Sequence, residues 1–243
     1  MEDRQLNNNS IDLFILRFDL QIDNKVDFDS LISAIAKYFD RTEKRMQANF
    51  EVKFTSDNSE LNKVESFDYV LTSDKGRFSM TFSKMQNSFW FETTNYSNRE
   101  TYNPVISNII NDATGMGINM VARRIGMRFI NNFNCNSVKN ISKIFNPEIS
   151  KNLINRLNQE KISRIICQEE FNHDECKVRI QYGIPNKFYP AVLNNHDLLL
   201  DIDSYDDKTQ ELSNWTESIS TLNHCAYKAF IRNVNPLYIN TLK

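Results

Sequence analysis

Glycine and proline are scarce in this chain. Each contributes 5 of the 243 residues, which excludes a collagen-like repeat and a proline-rich disordered segment. No apolar run approaches the roughly 18 to 20 residues that span a bilayer. The first ten residues, MEDRQLNNNS, lack the basic start and apolar stretch of a secretory signal. The sequence therefore predicts a folded chain with a cytoplasmic location and no membrane partner.

The sequence also lacks the short motifs of common enzyme classes. It has no Walker loop, GxGxxG, GxSxG or HExxH, which disfavours common ATPases, dehydrogenases, α/β-hydrolases and zincins. The four cysteines form no CxxC pair, and we expect reduced thiols without a disulfide or structural zinc. They are Cys135, Cys167, Cys176 and Cys225. We predict no cofactor, no metal and no catalytic residue.

Charge is unevenly distributed along the chain. Residues 119–187 hold 12 basic and 6 acidic side chains, whereas the net charge of the whole protein is −2. The acidic excess lies in residues 1–118 and 188–243. This basic middle segment predicts either a binding face for phosphate or nucleic acid, or a solvated face that the acidic segments balance in space.

Hydrophobic periodicity predicts an alternation of strands and helices in both halves of the chain. In the first half, strands are predicted at 11–20, 50–54, 67–71, 78–82 and 89–91, and helices at 27–39 and 105–113. Ser73-Asp74-Lys75-Gly76 predicts a hairpin turn. In the second half, strands are predicted at 118–133, 162–171, 176–182 and 198–203, with a weak strand after Gly183. Helices are predicted at 149–157 and 215–230.

The same order of elements therefore occurs twice, as strand, helix, four strands, helix. The segment FWFETTNY at 89–96 is similar to LLLDIDSY at 198–205. We predict an α+β fold of two pseudo-repeats, β-α-β4-α, which form a mostly antiparallel sheet with helices packed on one face. A polar tail at 1–10 precedes halves at 11–117 and 118–243, fused into one body. This element order resembles that of the TATA-binding protein, and the other sheet face must be wet, covered or used for binding.

The segment RRIGMRFINN at 123–132 holds the first candidate site. Strand alternation places Arg124, Gly126 and Arg128 on one face and Arg123 on the apolar face. Gly126 leaves room for a close approach. One interpretation is an anion or partner site formed by Arg123, Arg124, Arg128 and Asn131. The other is that these arginines pair with acids on the neighbouring strand.

The motif RRIGMRFIN, followed by a C-terminal helix with Trp215, His224 and Phe230, resembles a family of sporadically distributed, uncharacterised prokaryotic proteins of similar length. The resemblance covers nearly the whole chain and implies no activity. The patchy distribution of such families is typical of mobile or defence gene clusters.

The last predicted helix holds a second candidate site. An apolar stripe that predicts the core side of the helix is formed by Trp215, Ile219, Leu222, Ala226 and Phe230. On the opposite side of the helix lie His224, Tyr227 and Ile231. This aromatic and apolar patch predicts a surface for a protein partner. The alternative is that the other half of the chain covers it.

Two weaker patterns concern metals. Glu51-Val52-Lys53 and Glu175-Cys176-Lys177 both read ExK, which with a nearby aspartate could support a metal-dependent nuclease. The alternation is common on any amphipathic strand. His173 lies near two cysteines, but turn composition explains it better than a zinc site.

Together these patterns favour a non-catalytic binding or assembly component of a prokaryotic multi-protein system. A protein partner is expected, and nucleic acid is the alternative partner through the basic segment. A metal-dependent nuclease is the third hypothesis.

Overall fold

The computed structural model describes residues 10–21, 28–54, 59–73, 77–135, 137–159, 161–173, 175–193 and 197–242. They form an α+β protein with ten strands in a mostly antiparallel open sheet and six helices, some of them packed on the sheet. The predicted fold class is confirmed at this level. Residues 74–76 of the predicted hairpin turn and the predicted helix start at Asp27 lie outside the described residues.

The sheet and the helices are formed by the following segments, numbered in chain order. The strands are β1 (Ile11–Gln21), β2 (Arg41–Phe54), β3 (Ser59–Ser73), β4 (Phe78–Ser83), β5 (Ser88–Thr93), β6 (Val121–Phe133), β7 (Ile165–Asn172), β8 (Lys177–Ile184), β9 (Leu198–Asp206) and β10 (Gln210–Glu211). The helices are α1 (Phe28–Ile35), α2 (Asn103–Gly115), α3 (Ile141–Ile144), α4 (Pro147–Gln159), α5 (Trp215–Asn233) and α6 (Pro236–Thr241).

The strands are ordered β2-β3-β4-β5-β1-β6-β9-β8-β7 across the sheet, and β10 pairs with β6 beyond the end of β9. In the first half, four strands lie between α1 and α2, as the sequence predicts. In the described residues of the second half, only β7, β8, β9 and the two-residue β10 lie between α4 and α5. The weak strand predicted after Gly183 is not found, because residues 185–191 form turns and irregular backbone, and the fourth strand of this half is instead the very short β10.

The central strand β1 has a strictly alternating burial pattern. Phe14, Leu16 and Phe18 are fully buried, whereas the residues between them are half-buried. Phe14 stacks on Tyr102 next to α2, and Phe18 meets the edge of Trp215 at the start of α5. The face of the sheet that carries these three side chains is therefore the core face. The opposite side is called the polar face below.

Asparagine–proline pairs mark helix starts, as expected from helix capping. The Asn146 side chain accepts a hydrogen bond from the Ile149 amide, and α4 begins at Pro147. Asn235 caps α6 in the same way. Asn103 also precedes a proline, but it is the first residue of α2, and Tyr102 occupies the N-cap position. None of the helices in the described ranges is long and apolar enough to cross a membrane.

The cysteines differ from the prediction. A disulfide joins Cys176, next to β8, to Cys225 in α5. Cys135 and Cys167 are free thiols. The expectation of four reduced cysteines was therefore wrong, because the fold brings together two residues separated by 49 positions in the sequence.

Tyr182 on β8 predicts a pH dependence of stability. Its ring packs near Phe145, and its hydroxyl donates a hydrogen bond to Glu169. Burial, assisted by the charges of Cys167 and Glu169, raises the pKa of Tyr182 to about 12, whereas an unfolded tyrosine has a pKa of about 10. The protonated form is therefore favoured in the folded state. Its contribution is complete below pH 10 and is lost as the pH rises through 12.

We expect the wild type to lose roughly 1 kcal/mol more unfolding free energy than Tyr182→Phe between pH 9 and pH 11. Urea denaturation at the two pH values measures this difference. Other tyrosines also titrate in this range, so the comparison between the two proteins is the informative quantity. Equal losses in both proteins would show that Tyr182 ionises in the fold as it does in the unfolded chain.

Candidate functional site

The strand register brings side chains from five strands into one row on the polar face. Arg17 on β1 lies opposite Trp90 on β5 and, on its other side, Gly126 on β6. Gly126 lies opposite Tyr205 on β9, which in turn lies opposite Lys177 on β8. Directly opposed residues in antiparallel strands share a face. Gly126 is thus a gap near the middle of a row of aromatic and cationic side chains.

An alternating chain of charges runs beside this row. Asp19 accepts a hydrogen bond from Arg17 Nε at 2.7 Å and forms an ion pair with Arg124 Nη1 at 3.6 Å. Arg124 Nη2 reaches Asp203 at 3.2 Å, and Arg179 Nη2 reaches the same carboxylate oxygen at 2.6 Å. Three arginines therefore share two aspartates, which leaves the network with one excess positive charge.

Arg128 forms a separate bidentate pair with Asp201. Its Nε and Nη2 donate to the two carboxylate oxygens at 2.9 and 2.6 Å. These hydrogen bonds raise the pKa of the Arg128 guanidinium above its usual value, so it stays charged. Parallel N–H···O bonds of this kind fix the plane of the guanidinium group. Arg128 is therefore held in one orientation beside the network.

The acids of this site lie deeper than the arginines. The Asp203 side chain is 9% exposed and that of Asp201 is 7%, whereas Arg179 and Arg128 are 42% and 41% exposed. The carboxylates contact the guanidinium groups on their more buried side. Because each guanidinium carries five N–H donors, donors remain on the outer side of the arginines. The surface that solvent meets is therefore the cationic part of the network.

These side chains line a cavity of about 460 Å³ that is open to solvent, here called the arginine cavity. It is lined by Ile15, Arg17, Asp19, Trp90, Arg124, Gly126, Arg128, Arg179, Asp203 and Tyr205. A Cβ atom at Gly126 would lie 3.1 Å from both amino groups of Arg124. The space that the missing side chain creates is therefore used in part by the Arg124 guanidinium, which also packs over the Tyr205 ring at 4.6 Å.

The four residues of the first predicted site do not lie together. Arg124 and Arg128 line the arginine cavity, as the alternation of β6 indicates. Arg123 is exposed, because a β-bulge pairs Asp19 with Arg124 but Leu20 with Ala122 and leaves Arg123 as the extra residue. The expectation that Arg123 lies on the apolar face was therefore wrong, since a bulge interrupts the alternation.

Asn131 lies on the core face and is almost fully buried. Its amide group donates to the carbonyl of Leu200 at 3.1 Å, and its carbonyl oxygen accepts from Ser10. These bonds join β6 to β9 and to the residue that precedes β1. Asn131 is therefore placed away from the arginine cavity, on the other side of the sheet.

Arg124 and Arg128 pair with acids on the neighbouring strand β9, which was the alternative interpretation of the segment at 123–132. The positive charges of the basic middle segment are divided between the polar face and the helices α3 and α4, which carry Lys143 and Lys151. On the polar face, several of them pair with acids of β9 and its following turn; Lys177, for example, pairs with Asp207. Residues 119–187 therefore do not form one continuous basic surface.

The second predicted site lies on α5. The stripe that begins at Trp215 is buried against the sheet, as predicted. On the opposite side, Tyr227 is exposed, whereas His224 and Ile231 are half-buried and Ile231 packs against the core. The three residues therefore share one side of the helix but differ in how much of each side chain a partner could contact.

The metal hypotheses concern residues in three places. The Glu51 side chain lies outside the described part of the chain. Cys176 is bonded to Cys225, and so its sulfur is not a free thiolate ligand. Its neighbour Lys177 pairs with Asp207. Within the described residues, no group of three or more His, Cys, Asp or Glu side chains is placed to hold a metal ion.

Sequence reasoning missed most of the arginine cavity. Arg17 and Asp19 are polar residues at alternate positions of the otherwise apolar β1, and Asp201 and Asp203 alternate in the same way on β9. This alternation was a usable signal that both strands have one polar face. The contact between the strands was not visible, because it depends on pairing between distant segments.

Comparisons of the chain with protein-family models, curated proteins and solved structures find no significant match.

Proposed function

We propose that the protein is a non-catalytic binding component that holds an anionic ligand in the arginine cavity. The observation that carries this proposal is the arrangement of the charges. Buried aspartates hold Arg124, Arg128 and Arg179 from below, and the guanidinium groups face a cavity with their remaining donors. Arginine forks are suited to carboxylate and phosphate groups, and rigid positioning lowers the entropic cost of binding.

We also propose that the sheet is formed by two related units, one in each half of the chain. On the two sides of the β1–β6 pair, β5 and β9, β4 and β8, and β3 and β7 lie at matching distances, and β2 is the one strand of this order in the described residues without a counterpart. The similar segments at 89–96 and 198–205 begin in β5 and β9, the two strands that flank this pair. In this interpretation the arginine cavity lies across the junction of the two halves, where β1 and β6 meet.

Inorganic tripolyphosphate is a suitable probe for this site. We expect it to raise the melting temperature of the wild type by at least about 3 °C at concentrations well above the dissociation constant. Sodium chloride at the same ionic strength provides the reference, because general screening would affect both samples equally. Isothermal titration calorimetry then gives the affinity.

Arg128→Gln and Arg179→Gln should each weaken tripolyphosphate binding about tenfold or more, because each removes a charge-assisted contact. The matched control is Arg123→Gln. It removes the same charge from the same strand as Arg128, but Arg123 does not line the cavity. An equal loss in Arg123→Gln would show that net charge alone attracts the anion, and the proposed site would be wrong.

A further inference from the structure

We infer that the ligand of the arginine cavity is a mononucleotide, a small molecule that joins phosphate groups to a planar ring. This inference rests on the proposed function and adds the chemical class of the ligand. It depends on three features of the polar face. These are the acidic residues on both flanks of the cavity, its volume, and the aromatic ring at one end.

The flanks of the cavity disfavour a long polyanion. On the β5 side, Glu92 lies directly opposite Ile15 on the polar face. On the β8 side, Glu170 of β7 lies opposite Arg179, and Asp207 pairs with Lys177. A nucleic-acid backbone that crossed the sheet would meet carboxylates on each side of the arginines. A compact anion could contact the arginines without crossing these flanking carboxylates, and the two aspartates inside the cavity are already paired with arginines.

The volume of the cavity exceeds the need of a single inorganic anion. At about 460 Å³, it falls within the range of roughly 300–1,000 Å³ that is typical of small-molecule pockets. Only part of its wall is cationic. The rest is formed by Trp90, Ile15, Tyr205 and Gly126, together with the arginine-paired carboxylates of Asp19 and Asp203. A ligand that fills the cavity therefore needs an apolar or aromatic portion beside its charge.

Trp90 lies at one end of the cavity, and Arg124 and Arg128 lie towards the other, where Arg124 already covers the Tyr205 ring. Trp90 is on β5, and Arg124 and Arg128 are on β6, two strands away, a distance of about 10 Å between backbones. Arg17 lies between them and packs its guanidinium 5.5 Å from the centroid of the Trp90 ring. Planar bases stack both on aromatic rings and on guanidinium planes. The geometry thus places the base at Trp90 and Arg17, and the phosphates at Arg124, Arg128 and Arg179.

The test compares the affinities of ATP, tripolyphosphate, adenosine and a short oligothymidine by calorimetry. We expect ATP to bind at least about tenfold tighter than tripolyphosphate, since stacking contributes about 1–3 kcal/mol per base. Trp90→Leu should weaken ATP binding at least about tenfold more than it weakens tripolyphosphate binding. Tyr189→Ala, which truncates an exposed aromatic side chain outside the cavity lining, should change neither affinity.

Fluorescence gives a second measurement that does not depend on Trp90→Leu being well folded. The chain has two tryptophans, and Trp215 is buried against the core face. ATP should therefore quench the emission of Trp90 alone. In Trp90→Phe, which keeps an aromatic ring, ATP should still bind tightly but produce no quenching.

Three outcomes overturn the inference while the proposed anion site stands. They are equal affinities for ATP and tripolyphosphate, an equal loss of both in Trp90→Leu, and tighter binding of oligothymidine than of ATP. Failure of every phosphate probe to bind the wild type would overturn the inference and the proposed function together.

Discussion

Gly183→Ala is expected to lower the free energy of unfolding by about 4 kcal/mol, or to prevent the soluble protein from accumulating. Gly183 has a φ of +147°, which side chains of L-residues rarely adopt. A Cβ atom there would lie 2.1 Å from the carbonyl oxygen of Ile165 and 2.9 Å from its carbon. Both atoms belong to the backbone of β7. The clash can be relieved only if β7 moves away from β8.

Urea denaturation of the purified variant measures this loss, and a decrease of the melting temperature by about 8 °C or more would correspond to it. Gly115→Ala is the matched control. No atom lies within 4 Å of the Cβ position of Gly115, at the end of α2. We expect its stability to change by less than about 1 kcal/mol. If Gly183→Ala were as stable as this control, the result would contradict the close packing of the Ile165 backbone against Gly183.

The local elements of this fold were predictable where apolar residues keep a regular period. In β1, the largely apolar stretch at 11–20 indicates a strand by its length, but Leu13 and Ile15 are as apolar as the buried Phe14 and Leu16. In α5, the spacing after Trp215 indicates the buried stripe. The period in α5 identifies both the element and its buried side. The apolar stretch in β1 identifies the element but not its inner face.

The prediction was incomplete where the pattern weakens. The first strand of the long β2–β3 hairpin begins at Arg41, nine residues before the predicted strand. The prediction missed this part because residues 41–47 are mostly polar on both faces. Hairpin pairing with β3 stabilises this stretch, and pairing does not require an apolar side chain. The missed part of β2 therefore reflects a strand whose register is determined by its partner.

The arginine cavity was predictable only in part, since its partners are distant in sequence. Arg124 and Asp203 are separated by 79 positions, and the order of strands that joins them is a property of the whole sheet. The bulge at Arg123 is a local feature that the sequence pattern also did not reveal. It broke the alternation by one residue, so that Arg123 and Arg124 both lie off the core face, and only the half-buried Arg124 lines the cavity.

Removal of the Cys176–Cys225 disulfide is the second change with a large expected effect. The bond closes a loop between β8 and α5, with a sequence separation of 49. A loop of this length restricts the unfolded chain, and its loss typically costs about 2–4 kcal/mol. We expect Cys225→Ser to lose this amount under oxidising conditions. Cys167→Ser, which replaces a free and half-buried cysteine, should be close to the wild type.

Two measurements separate the effect of the bond from that of the serine. Under denaturing conditions without reductant, the wild type should be about 2 Da lighter than after reduction, because formation of one disulfide removes two hydrogens. Reductant should then lower the melting temperature of the wild type and of Cys167→Ser, but not that of Cys225→Ser. A wild type with the reduced mass and no response to reductant would mean that β8 and α5 are held together by packing alone. In that case, the stability of Cys225→Ser would differ from the wild type only through the altered side chain.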